Sequence, residues 1–400
     1  MNLLTYWKEL LSALSLIFII CIEIAYRQPA YDYSLEFIVN WQDNATETRT
    51  NFFKFVSLFG GQSLQAALVI IVYAFCSRRL LIKFLATIFT AQIINKFFKV
   101  FYHNPRPYYS SDEIVAMNCS RGYGNPSGHC LSIFSVYGSL WIFLFTKKYD
   151  KNNSLFPRKW QYELTKWVSL VLVVALCVLT FFSRIYLGSH SLNQTIYGTT
   201  LGLWMIYTFG VVLPPYIDSH YDQFVKQGKL FEKCNAGFII AIIVFLSLQI
   251  ANIALYYSLR GYNGHMEDSW LIRIKTKCPE LSTVPLEDSY KGILHSTLYA
   301  FIYFAQIFCA YQFPKAFNYW YSYIGVQKLV IRTVIMLIII GICFMPFFCT
   351  MNASFTVQVW AGIFLTNVLV GVIGVPLLDW ISEKFKLIST VPRETKYDNK

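Results

Sequence analysis

Charged residues are scarce in this chain: Asp, Glu, Lys and Arg make up 14% of its 400 residues, whereas apolar residues make up 56%. So few charges exclude an ordinary soluble protein, in which about a quarter of the residues are charged. Internal repeats, low-complexity tracts and long polar linkers are also missing. Their absence excludes a repeat array and favours a single membrane domain.

Acidic residues are the scarcer of the two signs, with 22 Asp and Glu against 34 Lys and Arg and a formal net charge of +12. In a soluble protein this excess would suggest nucleic acid. Here the basic residues lie mostly in short loops between apolar runs, where they set the orientation of a membrane protein. The expected partner is therefore a lipid bilayer, and no nucleic-acid partner is expected.

Ten apolar runs are long enough to cross a bilayer, which takes roughly 17 to 25 helical residues. They predict an all-α fold, a polytopic membrane helix bundle of about ten transmembrane helices. The first run is among the weakest, because it begins after Lys8, carries Glu23 and ends at Arg27. No clean cleavage site follows it, so we interpret it as an uncleaved anchor. The runs are residues 9–26, 60–77, 80–98, 130–147, 163–182, 191–213, 236–257, 293–312, 328–349 and 354–378.

The basic residues, among them Arg78 and Arg79, cluster in alternate loops, as the positive-inside rule requires if both termini are cytosolic. Asn44, Asn118 and Asn352 open glycosylation sequons on the other, lumenal side. That side holds residues 27–58, 99–129, 183–190, 258–292 and a turn near 350.

Three of the ten cysteines, Cys119, Cys278 and Cys349, lie in or beside these lumenal loops. A disulfide among them and free thiols are both open interpretations. The long loop 258–292 carries no recognisable motif, and we expect a solvated cap there.

Three polar clusters interrupt the apolar sequence, and the predicted topology places all three on the lumenal face. They are KVFYHNPRP from residue 99, GNPSGH from residue 124, and SRIYLGSH from residue 183. Together they supply three cations, a hydroxyl, a glycine N–H and two imidazoles, and they contain no carboxylate. Such a set suits the oxygens of a phosphate. It disfavours a metal centre, because the histidines lack carboxylate or thiolate partners, and we expect no metal and no cofactor.

The order of these clusters resembles the signature of the type 2 phosphatidic acid phosphatase and vanadium haloperoxidase superfamily. The first motif is matched by Lys99, Arg106 and Pro107, the second by residues 126–129, and the third by Ser183, Arg184 and His190. The resemblance implies a phosphatase core over residues 60–213. Residues 1–59 then form an anchor span with a lumenal loop, and residues 214–400 form four further spans and a cytosolic tail.

Within this superfamily the chain is most similar to the glucose-6-phosphatases. Gln194 replaces the Asp found in most members, as it does in that group, and a cysteine shortly before P-S-G-H and the sequence RPYY are shared as well. Four spans after the core also match. The first apolar run is a departure, because it has no counterpart in that group and corresponds to a span of the six-span lipid phosphatases.

The resemblance implies a metal-independent hydrolysis of phosphomonoesters through a phosphohistidine. His190 would be the nucleophile, Gln194 would orient it by accepting its Nδ1–H, and His129 would act as general acid and base. The phosphate oxygens would be held by Lys99, Arg106, Ser127, Gly128 and Arg184. Lys96 is expected to be an interfacial lysine, and His103, His220, His265 and His295 are expected to be structural.

The leading hypothesis is thus a glucose-6-phosphatase-like enzyme of the endoplasmic reticulum, acting on the lumenal face on a small phosphorylated substrate. A lipid phosphate phosphatase, acting on phosphatidate or a sphingoid phosphate, is the alternative with the same chemistry. A catalytically silent scaffold or complex subunit is the alternative from another class, although such relatives usually lack a motif His or Arg that this chain retains. A transporter would not need two histidines at these spacings, and haloperoxidases are soluble. The sequence leaves the oligomeric state open.

Overall fold

In a computed structural model of the chain, the described residues are 6–145, 158–219, 236–261, 267–281, 285–312 and 326–387. These residues form helices and connecting turns, without a strand among them. Eight of the helices are long and apolar enough to cross a membrane, or up to nine if a pair bent by 42° counts as one span. The prediction of an all-α membrane helix bundle is thereby confirmed.

The helices of the first half are α1 (Trp7–Gln42), α2 (Glu47–Leu58), α3 (Gln62–Phe75), α4 (Arg78–Tyr102), α5 (Pro107–Ser110), α6 (Gly128–Phe145), α7 (Lys159–Tyr186) and α8 (Leu192–Val212). Those of the second half are α9 (Ala236–Gly261), α10 (Asp268–Lys277), α11 (Pro285–Gln312), α12 (Val326–Cys343), α13 (Met345–Cys349) and α14 (Phe355–Lys384). Each of the ten predicted runs overlaps one or two of these helices in its described part, apart from a few residues at the ends of some runs.

The chain forms two compact units. The first unit comprises Met1–Gln65, Thr90–Leu213 and Phe245–Ile293, and the second comprises Ala66–Phe89, Pro214–Val244 and Leu294–Lys400. All candidate phosphate-binding residues lie in the first unit. The sequence-based division at residues 59 and 213 stays a prediction.

Helix α1 is longer than its apolar run and extends through much of the predicted lumenal loop 27–58. The reason is a second stripe of inward-facing residues beyond the first run: Tyr31, Ser34, Ile38 and Gln42 follow one another at helical spacing and are all buried. The loop prediction is therefore wrong for residues 27–42, and α1 contributes to the interior of the first unit along most of its length.

The segment predicted as a solvated cap, 258–292, also contains ordered helix. Helix α10 buries Ile274, which is 3% exposed, in an apolar cluster with Ile38, Tyr108 and Ile185, although Ile272 on its other face is 65% exposed. The segment is thus amphipathic, and one face packs against the residues around the first motif.

In the second unit, Arg78 opens helix α4 and is fully buried, whereas the sequence pattern placed it in a cytosolic loop. Its Nη2 contacts the Asp379 carboxylate, and Tyr73 donates its hydroxyl to the same carboxylate at 2.6 Å. Both charged side chains of this pair are inaccessible to solvent. Lys83 and Asp218 form a second pair in this unit, 3.0 Å apart and partly exposed.

We expect Asp379→Ala to destabilise the protein strongly, by about 3–5 kcal/mol, because it leaves a buried guanidinium without its carboxylate. Asp218→Ala is the matched control and should cost less, about 1 kcal/mol, because its pair is partly exposed and water can solvate the remaining Lys83 amine. The thermal unfolding midpoints of both variants in detergent measure the difference. Equal midpoints would contradict the assignment of Arg78 and Asp379 as a buried pair.

Candidate functional site

The three sequence motifs come together in the first unit. Lys99 lies in the last turn of α4 and Arg106 immediately before α5. Ser127 caps α6, Arg184 lies in the last turn of α7, and His190 precedes α8. Each side chain is almost fully buried, with exposures of 4% for Lys99, 3% for Arg106, 0% for Arg184 and 2% for His190.

Arg106 is the centre of this arrangement. Its Nε donates to the Gly122 carbonyl at 2.8 Å, Nη1 donates to the Ser189 carbonyl at 2.9 Å, and Nη2 donates to the Arg121 carbonyl at 2.8 Å. Nη1 also lies 3.1 Å from Nε2 of His190. The guanidinium plane is therefore held by the backbone of two other segments, with one edge against the candidate nucleophile.

The ring orientation of His190 follows from the partners of Gln194. The Gln194 Nε2 donates to the Pro105 carbonyl at 2.8 Å, and its Oε1 accepts from the Ser191 N–H at 3.3 Å. A carbonyl can only accept and an N–H can only donate, so these contacts assign the two ends of the amide. Oε1 lies 3.2 Å from Nδ1 of His190, and Nδ1 must therefore carry the proton. The Nε2 lone pair faces Arg106.

Burial lowers the pKa of His190 well below its ordinary value, and the positive charges of Arg106, Lys99 and Arg184 lower it further. His129 contributes in the same direction. A neutral imidazole with a free Nε2 lone pair is the form that can act as a nucleophile. The surrounding cations therefore favour the neutral form of His190.

The remaining two cations are held mainly by polar groups of neighbouring segments. Lys99 donates its amine to the Tyr123 carbonyl at 2.6 Å, and the Gly124 carbonyl is 3.4 Å away. Arg184 donates from Nη1 to the Ser57 hydroxyl at 2.5 Å and from Nη2 to the Ser120 hydroxyl at 3.1 Å. Its Nε is buried and has no hydrogen-bond partner within the described part of the chain.

The P-S-G-H motif forms the N-terminus of α6. The Ser127 N–H donates to the Gln194 carbonyl at 2.9 Å, which joins the second motif to the third. The Ser127 hydroxyl is also buried, and its neighbour is the thiol of Cys130, a weak hydrogen-bonding group. Two buried donors next to a helix N-terminus are suited to the oxygens of an anion.

Glycine is required at two positions around the motifs. Gly188 adopts a φ of 68°, which lets the chain reverse between Arg184 and His190, and the His190 N–H donates to the Arg184 carbonyl at 3.1 Å. A Cβ on Gly128 would lie 2.7 Å from the Asn95 amide nitrogen, so the α6 N-terminus packs closely against α4.

Several residues outside the motifs contact this region, and sequence reasoning did not assign them a role there. Glu23 was noted only as a weakness of the first apolar run, yet it is fully buried and contacts Asn125 of the second motif loop. Asn95 and Tyr31 also carry no motif signal. Of the histidines expected to be structural, His295 lies in the second unit against Phe347, His103 lies in the loop after α4, and His220 and His265 fall outside the described residues.

A disulfide joins Cys119 to Cys278, and Cys349 is a free, exposed thiol. The pairing resolves the alternatives that the sequence left open. Around it, Lys277 donates its amine to the carbonyls of Ser111, Asp112 and Ile114 at 2.5 to 3.0 Å. The α10 segment is thereby bound to the loop between the first and second motifs. Within the described residues, the one group of three clustered metal-ligating side chains includes both of these disulfide cysteines, whose thiols are already bonded.

Comparisons with known proteins match the part of the chain that carries the three motifs. A model of the PAP2 superfamily matches residues 80–215. Dolichyldiphosphatase 1 of Homo sapiens is 29% identical over 141 residues, which are 33% of this chain and 55% of that protein. Its Mus musculus counterpart is 31% identical with the same coverage. The chain thus spans about half the length of the curated relatives it matches.

Among solved structures, the PAP2-type phosphatidylglycerolphosphate phosphatase of Bacillus subtilis is similar with a TM-score of 0.41 and 18% identity, covering 52% of this chain and 96% of that one. The family match confirms the superfamily resemblance seen in the motifs. Residues 80–215 of this integral membrane protein form a PAP2 superfamily domain, and all eight candidate site residues lie within it.

Proposed function

We propose that this chain is a membrane phosphohydrolase that works through a phosphohistidine at His190. The observation that carries the proposal is the position of His190: its Nδ1 faces Gln194, and its Nε2 lies 3.1 Å from Arg106. This places an uncharged nucleophile beside a cation that can hold the phosphoryl group it attacks. The PAP2 superfamily match supports the same chemistry.

In the first step, the Nε2 lone pair of His190 forms a bond to phosphorus while the bond from phosphorus to the leaving oxygen breaks. His129 gives its proton to that oxygen, and the negative charge of the bound phosphate favours the protonated imidazole among the surrounding cations. In the second step, His129 takes a proton from water as the water oxygen attacks phosphorus. The phosphorus to nitrogen bond then breaks and inorganic phosphate leaves, which restores both histidines to their starting states.

The other candidate residues stabilise the charge of the transferring group. Lys99, Arg106 and Arg184 supply fixed positive charge, and the Ser127 hydroxyl and Gly128 N–H add neutral donors. Because these donors are buried, their interaction with an oxyanion is stronger than it would be in water. No metal is required by this scheme, which keeps metal-independent hydrolysis part of the proposal.

Two substrate classes fit this chemistry. A phosphorylated lipid is supported by the dolichyldiphosphatase relatives and by a site formed at the ends of membrane helices. Glucose 6-phosphate is supported by Gln194, which the glucose-6-phosphatases share. The proposed location is the lumenal face of the endoplasmic reticulum, with both termini cytosolic.

A phosphate-release assay on the purified protein without added metal tests the proposed function. Glucose 6-phosphate, phosphatidate, sphingosine phosphate and a polyprenyl diphosphate are compared, with vanadate as inhibitor. We expect vanadate-sensitive phosphate release from at least one of them, and the preferred compound identifies the substrate class. Release that requires a divalent metal would contradict metal independence, and no release from any compound would favour the silent scaffold.

We expect His190→Ala to abolish the reaction, and Gln194→Ala to cost less. The nucleophile is irreplaceable, whereas a neutral amide orients the ring without stabilising the imidazolium that forms. Steady-state rates on the preferred substrate measure both losses. Unchanged phosphate release by His190→Ala would show that another group attacks phosphorus.

The pKa of His190 lies well below the ordinary histidine value of about 6.5. We therefore expect that protonation of His190 does not limit the reaction near that pH. Gln194→Glu places a carboxylate on Nδ1–H, raises the pKa of His190 and should shift the acid limb of kcat/KM to higher pH. Gln194→Ala adds no charge and is the matched control. Both variants are assayed on the same substrate, so ionisation of the substrate affects both pH profiles equally. Identical acid limbs in the two variants would contradict the role of Gln194.

A further inference from the structure

Glu23 is a fully buried carboxylate in the middle of α1, a helix long and apolar enough to span the membrane. Burying an ionisable side chain at membrane depth is costly, and such residues usually have a specific partner and a function. Glu23 lies outside the three motifs and outside the PAP2 domain over residues 80–215. The proposed mechanism does not use Glu23, so it does not explain why the chain bears the free-energy cost of burying this side chain.

Glu23 contacts Asn125, the residue that precedes P-S-G-H. The side chains of Asn193 and Arg27 also interact with this carboxyl group. The Asn125 Nδ2 donates to Glu23 Oε1 at 2.6 Å, and it lies 3.3 Å from Asn104 Oδ1. Asn104 stands two residues before Arg106, and its carbonyl accepts the Gly124 N–H at 2.9 Å. One amide group thus links the loops of the first and second motifs, and the Glu23 carboxyl group is its anchor on α1.

Other contacts from α1 reach the same region. The Tyr31 hydroxyl donates to the Arg106 carbonyl at 3.2 Å, and the Ser34 hydroxyl accepts the Leu192 N–H at 2.9 Å. Gln42 donates to the Tyr186 carbonyl at 2.9 Å. Helix α1 therefore contacts the backbone around the first and third motifs, and Glu23 supplies its contact with the second.

We propose that Glu23 is a positioning residue that fixes the P-S-G-H loop, through Asn125, so that Ser127, Gly128 and His129 face the phosphate. A carboxylate acceptor makes a stronger hydrogen bond than a neutral amide, which gives a reason for Glu rather than Gln at this depth. The expected effect of Glu23 on the reaction rate rests on the proposed function. Its expected effect on the order of the P-S-G-H loop is independent of that function.

Backbone hydrogen exchange of the full-length protein over residues 120–131, and kcat on the preferred substrate, test the inference together. Glu23→Ala removes the acceptor and should speed exchange in this segment and lower kcat by roughly 100-fold, because a small misplacement of catalytic groups has an effect of that order. Glu23→Gln keeps an acceptor oxygen and should stay within about tenfold of the wild-type rate.

Exchanging the donor and acceptor roles of Asn125 and Glu23 distinguishes the loss of their hydrogen bond from a general loss of packing. Asn125→Asp removes both amide donors and places two carboxylates together, so it should loosen the loop at least as much as Glu23→Ala. Combining it with Glu23→Gln restores one bond in the opposite direction and should recover part of the exchange protection. Ser12→Ala is the matched control, because it removes another buried side-chain contact of α1, to Thr208 at 2.7 Å, away from the motifs.

Wild-type exchange over residues 120–131 in Glu23→Ala, or no recovery in the double variant, would overturn the inference. Equal loosening by Ser12→Ala would also overturn it, because the effect would then belong to α1 packing in general. If the wild-type protein releases no phosphate from any of the four compounds, the proposed function fails, while the exchange data still decide whether Glu23 positions the loop.

Discussion

The buried guanidinium of Arg106 is the constraint on which the site depends. A charge this deep must be compensated by nearby acceptors, and it finds three backbone carbonyls, from Gly122, Ser189 and Arg121. The carbonyls of Arg121 and Gly122 belong to the loop before the second motif, and that of Ser189 belongs to the third motif. The hydrogen bonds that Arg106 makes with these carbonyls therefore hold distant segments together, and they place its Nη1 against the His190 ring. The same contact that stabilises the loops creates the candidate chemistry.

Segments outside the PAP2 domain complete this arrangement. Helix α1 contacts the site through Glu23, Tyr31 and Ser34, and the α10 segment is bound to the first-motif loop by the disulfide from Cys119 and by Lys277. The loops lie where four helices end, and their apolar residues Tyr108 and Ile114 pack against Ile38 of α1 and Ile274 of α10. Their order depends on these neighbours, which is why changes far from the motifs should affect the reaction.

The motif residues could be assigned from the sequence because phosphate binding requires particular side chains at short, recognisable spacings, as with His190 and Gln194, four positions apart. Glu23 and Asn125 are 102 positions apart, and no local pattern joins them. In the sequence, Glu23 is a single charged residue that interrupts an apolar run, which does not indicate its partner. Arg78 was misplaced for a similar reason: charge at the end of a run usually marks a loop, and its partner Asp379 lies in the last helix.

The sequence by itself determined the helical membrane character and the chemical inventory of the site. Apolar runs of bilayer length can satisfy their backbone groups only as helices, and the three polar clusters name the groups available for an anion. Only the tertiary structure decided which carbonyls hold Arg106, which cysteines pair, and which residues hold the loops. These outcomes depend on hydrogen bonds and contacts between distant segments, whose distances are set by helix packing and leave no periodic trace in the chain.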